Sequence, residues 1–261
     1  MRTVLICHHD NTLNREVLPR WLASFSDLAG VVVIEETAGR MGKRVRREWK
    51  RSGLRMLDVL AFQAYYRATA ASADREWVRA TADRLKARFP DAPEEVPFHH
   101  TADPNDEGTR AFLESVAPDV TLARCKTLLR KEIFDVPRCG TVVLHPGVCP
   151  EYRNAHGCFW ALAHRDLDRV GATLLRIDEG VDTGPVYRYY HADIDERQES
   201  HTVIQHRMVF DNLDAIAADL QALSDGALER TDTSGRPSAA WGQPRLTDHL
   251  RWKRAARRAA P

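Results

Sequence analysis

Residues 141–187 read TVVLHPGVCPEYRNAHGCFWALAHRDLDRVGATLLRIDEGVDTGPVY. The apolar run Thr141, Val142, Val143, Leu144 ends on His145, and a Pro/Gly/Cys loop and a charged turn with Glu151, Arg153 and Asn154 follow. A helix-like block spans residues 159–164, and a second apolar run, residues 172–177, leads into Asp178, Glu179, Gly180, Val181, Asp182, Thr183, Gly184 and Pro185. Short continuous apolar runs bounded by turn residues are the mark of strands buried on both faces. Here one such run delivers a histidine and the other delivers Asp178, Glu179 and Asp182. Open α/β sheets bind ligands at the carboxyl ends of their strands, so the two loops are expected to wall a site.

The rest of the chain supplies the sheet. Residues 3–7 read as a buried strand stopped by His8, His9, Asp10 and Asn11; Val17, Leu18, Trp21, Leu22 and Phe25 have helical spacing; residues 30–34 are a second strand. Strand, helix and strand in so short a span predict a parallel βαβ unit. No G-x-G-x-x-G turn and no P-loop accompanies it. Residues 40–55 are strongly basic, with Arg44, Arg47 and Arg51 at spacings that share one helix face. A charge run of this kind is more often a solvated face than a phosphate clamp. Amphipathic segments after Gly53 and over residues 77–89 complete a helical insertion of about residues 38–92, placed before an extended segment at 96–100. The rhythm then resumes: helix at 107–116, strand at 119–123, helix at 128–134, extended chain at 187–194, and a long amphipathic helix from Ser200. The expected architecture is an α/β, Rossmann-like open twisted sheet, mostly parallel, with flanking helices over residues 1–225. A polar tail without a domain of its own, residues 226–261, follows, with Trp241 and Trp252 as docking points.

Length, hydrophobic content of 43% and charged content of 29% over 261 residues are those of a globular chain with a real core. A net charge of +1 gives no global attraction to nucleic acid or membrane, and no apolar run has the length a membrane helix needs. Five scattered cysteines suit a reduced, cytoplasmic protein.

A histidine at one strand end facing an aspartate from the neighbouring loop can form an acid–base couple, in which the carboxylate favours the protonated ring and holds it. Two loop residues alone would carry little weight. The motifs around them carry more: His145-Pro146-Gly147, Pro150-Glu151-Tyr152-Arg153, Ala155-His156-Gly157, Gly171-Ala172-Thr173, and the D-x-G-x-D-T-G-P element of residues 178–185. Together they resemble the catalytic core of the folate-dependent formyltransferases, whose members act on glycinamide ribonucleotide, methionyl-tRNA and amino sugars.

The resemblance implies N10-formyltetrahydrofolate as donor and an amine as acceptor, with a tetrahedral oxyanion that forms and collapses. His145 takes the place of the family's histidine and Asp182 that of its aspartate. His145 would stabilise or protonate the oxyanion, and Asp182 would orient it and help carry the departing amine proton. Leu144, Asp178, Glu179, Gly180 and Val181 would contact the cofactor; His8, His9, Asn11, Arg153, Asn154 and His156 would line the acceptor side. The RNA-binding β-barrel of methionyl-tRNA formyltransferases has no room in the ~35 residues after Gly226. A small-molecule amine such as an amino sugar, sugar nucleotide or amino acid is therefore expected, with no nucleic acid and no membrane partner; a homodimer is compatible with the same pattern.

Two departures stand out. The family's catalytic asparagine, two residues before His145, is Val143, which can neither donate to the formyl oxygen nor accept from the amine. Asn154 stands where relatives with the Y-R-G form have glycine. Either another donor substitutes (Asn154, His156 or His8), or the reaction or acyl donor has changed, or a binding protein without catalysis remains. A zinc set of His145, Cys149, His156 and Cys158 has none of the usual spacings, and Cys149 as a nucleophile would need a thiolate-stabilising partner.

Overall fold

The computed structural model describes residues 1–35, 53–91 and 95–259. The basic residues Arg44, Arg47 and Arg51 lie outside the described residues.

β1 (Arg2–His8) places Val4, Leu5, Ile6 and Cys7 wholly out of solvent, as a strand covered on both faces must be. A short π-helical turn, Leu13–Val17, runs into α1 (Leu18–Ala23), where Pro19 occupies a first-turn position that needs no N–H. β2 (Asp27–Ile34) returns parallel to β1. The insertion supplies α2 (Arg55–Thr69) and α3 (Ala71–Arg88). Then follow β3 (Phe98–Thr101), α4 (Glu107–Val116), β4 (Val120–Arg124), α5 (Lys131–Phe134) and β5 (Thr141–His145). The Asp106 side chain caps α4 by accepting from the Thr109 amide. α6 (Gly157–His164), β6 (Ala172–Arg176), β7 (Val186–Tyr190), α7 (His201–Phe210), α8 (Leu213–Ser224) and α9 (Leu246–Arg258) complete the order.

The strands form one sheet in the order β3-β2-β1-β4-β5-β6-β7. Pairing is parallel from β3 through β5, and β6 and β7 are antiparallel. The expected α/β, Rossmann-like, mostly parallel sheet is the one observed. Alternation along the strands divides the core: Leu5, Cys7, Val31, Val33, Leu122 and Leu144 pack under α1, α6, α7 and α8 on one face. Val4, Ile6, Val32, Ile34 and Ala123 pack against Leu113 of α4 and Ile133 and Phe134 of α5 on the other.

From β1 the chain winds outward to β2 and β3, then crosses back to start β4 on the opposite side of β1. This reversal opens a crevice between the carboxyl ends of β1 and β4. Several elements differ from the sequence expectation, among them a helix in the insertion that starts at Ala71 rather than at residue 77. The helix expected from residue 128 starts only at Lys131, because Asn105 pins the preceding loop, donating to the Leu128 carbonyl (3.0 Å) and accepting from the Arg130 amide (2.7 Å). The helix from Ser200 is two, α7 and α8, broken at Asp211 and Asn212. The tail holds α9, whose Trp252 is fully buried. Among the described residues, no helix is long and apolar enough to cross a membrane.

Candidate active site

The crevice is a cavity of about 270 Å³, bounded by the ends of β1, β4 and β5, the loop after β4, the loop between β6 and β7, and α7. His145 closes β5 and is 3% exposed. The turn behind it is unusually tight. Gly147 and Gly157 lie back to back, so that a Cβ on Gly147 would sit 2.5 Å from the Tyr152 carbonyl oxygen and 2.8 Å from the Gly157 Cα. That close approach brings the Tyr152 carbonyl within 2.9 Å of His145 Nε2, which donates to it. The other ring nitrogen, Nδ1, lies 3.5 Å from Asp182 Oδ2. Both nitrogens thus face oxygen acceptors, and only the imidazolium can donate to both.

Asp182 is presented by a built loop. Asp178 Oδ1 accepts from the Gly180 amide (2.9 Å) and the Thr183 hydroxyl (2.7 Å), which closes residues 178–183 on themselves. Gly184 passes so near the Arg176 carbonyl that a Cβ there would lie 1.9 Å from its oxygen. Asp182 takes a left-handed backbone, φ 52°, and Oδ2 accepts from the Asn154 amide at 2.8 Å. Arg153 Nη1 donates to the Val181 carbonyl (2.8 Å), tying the loop after β5 to the loop after β6. The D-x-G-x-D-T-G-P element is therefore a device for holding one carboxylate beside one imidazole.

Asn154 explains its own departure from glycine. Its φ is 77°, the left-handed region that glycine enters freely and asparagine tolerates best of the rest. Its side chain then adds bonds that glycine lacks: Nδ2 donates to the Trp241 carbonyl (2.6 Å), and Oδ1 accepts from the Ala155 amide (2.8 Å). Asn154→Gly is expected to cost about 1 kcal/mol, the net worth of the Trp241 bond. Asn154→Ala loses the same bond and adds left-handed strain, so thermal unfolding should rank it below Asn154→Gly. The opposite order would show that the left-handed backbone at residue 154 places no demand on the side chain.

The tail covers this wall. Arg236 pairs bidentately with Glu151 (2.9 and 2.8 Å), the Arg153 amide donates to the Ala239 carbonyl, and Trp241 Nε1 donates to the Glu151 carbonyl (2.9 Å). Trp241 stacks on Trp160 with ring centroids 5.1 Å apart.

Of the residues expected at the site, His145, Asp182, Leu144, Asp178, Glu179, Gly180, Val181, His8, Asn11 and Asn154 line the cavity. His9, Arg153 and His156 are outside its lining. His9 is exposed beside Arg15, and Arg153 is engaged with Val181. Burial lowers His156 to about 4, so the ring is neutral at physiological pH. His8 accepts the Lys126 amide on Nε2 (3.0 Å), which places its ring proton on Nδ1. Val143 lines the cavity with Leu129, Leu175 and Ile177, an apolar wall. Burial pushes the Cys149 thiol well above its ordinary range and the Cys158 thiol up to about 12. Both are protonated at neutral pH, the wrong state for a nucleophile or a metal ligand.

The sequence reading missed Asn14, Arg124, Lys126, Gln205 and His206, which also line the cavity. Arg124 is the last residue of β4 and Lys126 lies two residues beyond it, a signal available in the sequence; Gln205 and His206 reach the cavity only because α7 packs over it.

A sequence model of the formyl transferase family matches residues 78–218, just over half the chain. Methionyl-tRNA formyltransferase of Thermus thermophilus is 35% identical over 109 residues, 41% of this chain and 35% of that protein. Methionyl-tRNA formyltransferase of Sorangium cellulosum is 31% identical over 154 residues, 56% of this chain and 47% of that one. The match thus spans between about a third and a half of these curated relatives. Among solved structures, a sugar N-formyltransferase from Shewanella superposes with a TM-score of 0.57 at 13% identity, over 98% of this chain and 88% of the other. Phosphoribosylglycinamide formyltransferase from Anaplasma phagocytophilum gives 0.56 at 11%, over 94% and 99%. These structural likenesses concern the fold.

Proposed function

The chain belongs to the formyl transferase family, and from that premise we propose that it moves a formyl group from N10-formyltetrahydrofolate to the amine of a small molecule. The observation that carries this reading is the His145–Asp182 pair, held at 3.5 Å at the carboxyl end of β5 against the cavity. The donor supplies an activated formyl carbon. A folate-like heterocycle suits the cavity: Leu129, Val143, Leu175 and Ile177 give an apolar wall for a flat ring, and the backbone of residues 178–182 gives a polar edge.

Bond making joins the amine nitrogen to the formyl carbon, bond breaking releases the donor nitrogen, and one proton passes from the amine to that leaving nitrogen. Asp182, already aimed by the Asn154 amide, accepts the amine proton, directly or through water. His145, anchored through Nε2 on the Tyr152 carbonyl, turns Nδ1 toward the reacting groups and donates to the formyl oxygen as it gains charge. The gap of 3.5 Å is longer than a hydrogen bond, so Nδ1 is not committed to Asp182 before substrate arrives. Val143 leaves the site one donor short of its family. The Asn154 side chain is engaged with Trp241 and Ala155, and His156 is outside the cavity lining, so neither is placed to supply the missing bond.

The apolar wall at Val143 favours one rival, a member whose acyl donor has changed. The two are separated by tetrahydrofolate release from N10-formyltetrahydrofolate, followed spectroscopically with a panel of amino sugars, sugar nucleotides and amino acids. Release that depends on a particular amine is the expected result. Release that no amine accelerates, above the rate in water, would overturn formyl transfer to an amine.

A further inference from the structure

The cavity holds a cation that the His145–Asp182 chemistry does not use. Arg124 ends β4 with its guanidinium half-buried in the cavity wall. Nη1 donates to the Leu144 carbonyl, and Nε is 3.5 Å from Asn14 Oδ1. Among the described residues Nη2 has no hydrogen-bond partner and no carboxylate pairs with the group. Burial lowers its pKa to about 10, so it still carries its charge at neutral pH. Lys126, two residues further on, lines the same wall, and its side chain is exposed. Burial, and after it the charges of Arg124 and Lys126, push His206 down to about 4, which makes it a neutral neighbour. Of the carboxylates in the lining, Asp178, Glu179 and Asp182 come from the loop after β6, where Asp178 and Asp182 are already engaged, and Asp10 is an exposed residue of the turn after β1.

An unpaired cation is costly to bury, and a protein keeps one where an anion will meet it. The guanidinium fork suits carboxylate and phosphate oxygens, and the donors left on Arg124 are those of such a fork. Asn14, 4% exposed, backs the guanidinium and is itself held by Asn11, whose Oδ1 accepts the Asn14 amide at 3.0 Å. Because Arg124 is bonded to the carbonyl of Leu144, it sits one residue from His145 along β5.

We propose that Arg124, with Lys126 at the rim and Asn14 as a positioning residue, forms an oxyanion-binding subsite, so that the acceptor is an anionic amine. Its carboxylate or phosphate rests on Arg124 while its amine faces His145 and Asp182. The amine half of this statement rests on the proposed formyl transfer; the anion half does not. Both cations of the lining lie at the end of β4 and three of its four carboxylates on the loop after β6, with the exposed Asp10 at the rim after β1, an arrangement that would orient a substrate carrying one charge of each sign.

The test uses the full chain and no formyl donor. Inorganic phosphate and acetate are titrated calorimetrically at constant ionic strength set with chloride, into the wild type, Arg124→Gln and Arg124→Lys. Saturable binding of one anion is expected, weakened at least tenfold in Arg124→Gln and partly kept in Arg124→Lys. The anion that binds more tightly tells phosphate from carboxylate. Equal binding in all three proteins, or none in the wild type, overturns the subsite. Should Arg124→Gln not fold, modification of wild-type Arg124 by phenylglyoxal, located by peptide mass, replaces it. Protection by the bound anion is expected, and unchanged modification overturns the proposal. Anion binding without amine-dependent tetrahydrofolate release would sink the reaction and leave the subsite standing; the converse result would do the reverse.

Discussion

His145→Ala and Asp182→Asn are each expected to lower turnover by about 10²–10⁴, the range of a positioned acid or base. The two side chains are 3.5 Å apart and serve one proton path, so the double variant should be hardly worse than either single one. Asp182→Asn keeps an oxygen for the Asn154 amide, and its fold should survive. His145→Ala leaves the Tyr152 carbonyl without its donor, so its thermal unfolding should be followed alongside its kinetics. Near-normal turnover in either single variant, with the chain folded, would remove the pair from the mechanism. Additive losses in the double variant would instead show two independent roles.

Val143→Asn is the second large effect, and it runs upward. A donor restored two residues before His145 supplies the interaction whose loss from an oxyanion site costs about 10²–10³ in rate. Formyl transfer should therefore rise by at least about tenfold. A stability loss of about 1–2 kcal/mol should accompany it, because residue 143 packs against the small apolar cluster of Cys149, Leu175 and Val186. Formyl transfer that stays flat would mean that the cavity has been rebuilt around an apolar wall for a different donor.

Much of this site was legible in the chain. Strands buried on both faces announce themselves as runs such as Val4–Cys7, and the loops they deliver follow from the direction of a parallel sheet. His145 and Asp182 were legible because their loops are rich in residues with backbone duties: Gly147, Gly157, Asp178 and Gly184 each answer a close approach or a turn. What was not legible depends on tertiary company. Leu128 has the apolar character of a helix start, yet it is 61% exposed beside the cavity because Asn105, far off in sequence, holds its loop. Arg153 looks like a substrate ligand until the Val181 carbonyl is seen in front of it. α9 was hidden by its basic composition; Trp252 is its buried anchor, and Trp252 Nε1 donates to Glu196. Arg124 was passed over although it stands at a strand end, because nothing in a sequence shows whether a charge has a partner.

The central claim is that the His145–Asp182 cavity joins a formyl carbon to an amine. It is tested most directly by incubating the protein with N10-formyltetrahydrofolate labelled with ¹³C in the formyl group and an amine that accelerates tetrahydrofolate release, then locating the label by mass spectrometry and NMR. The account predicts labelled carbon bonded to the amine nitrogen of the acceptor, formed by the wild type and lost with Asp182→Asn. Label recovered only as free formate, or an N-formyl product formed equally well by Asp182→Asn, would contradict it.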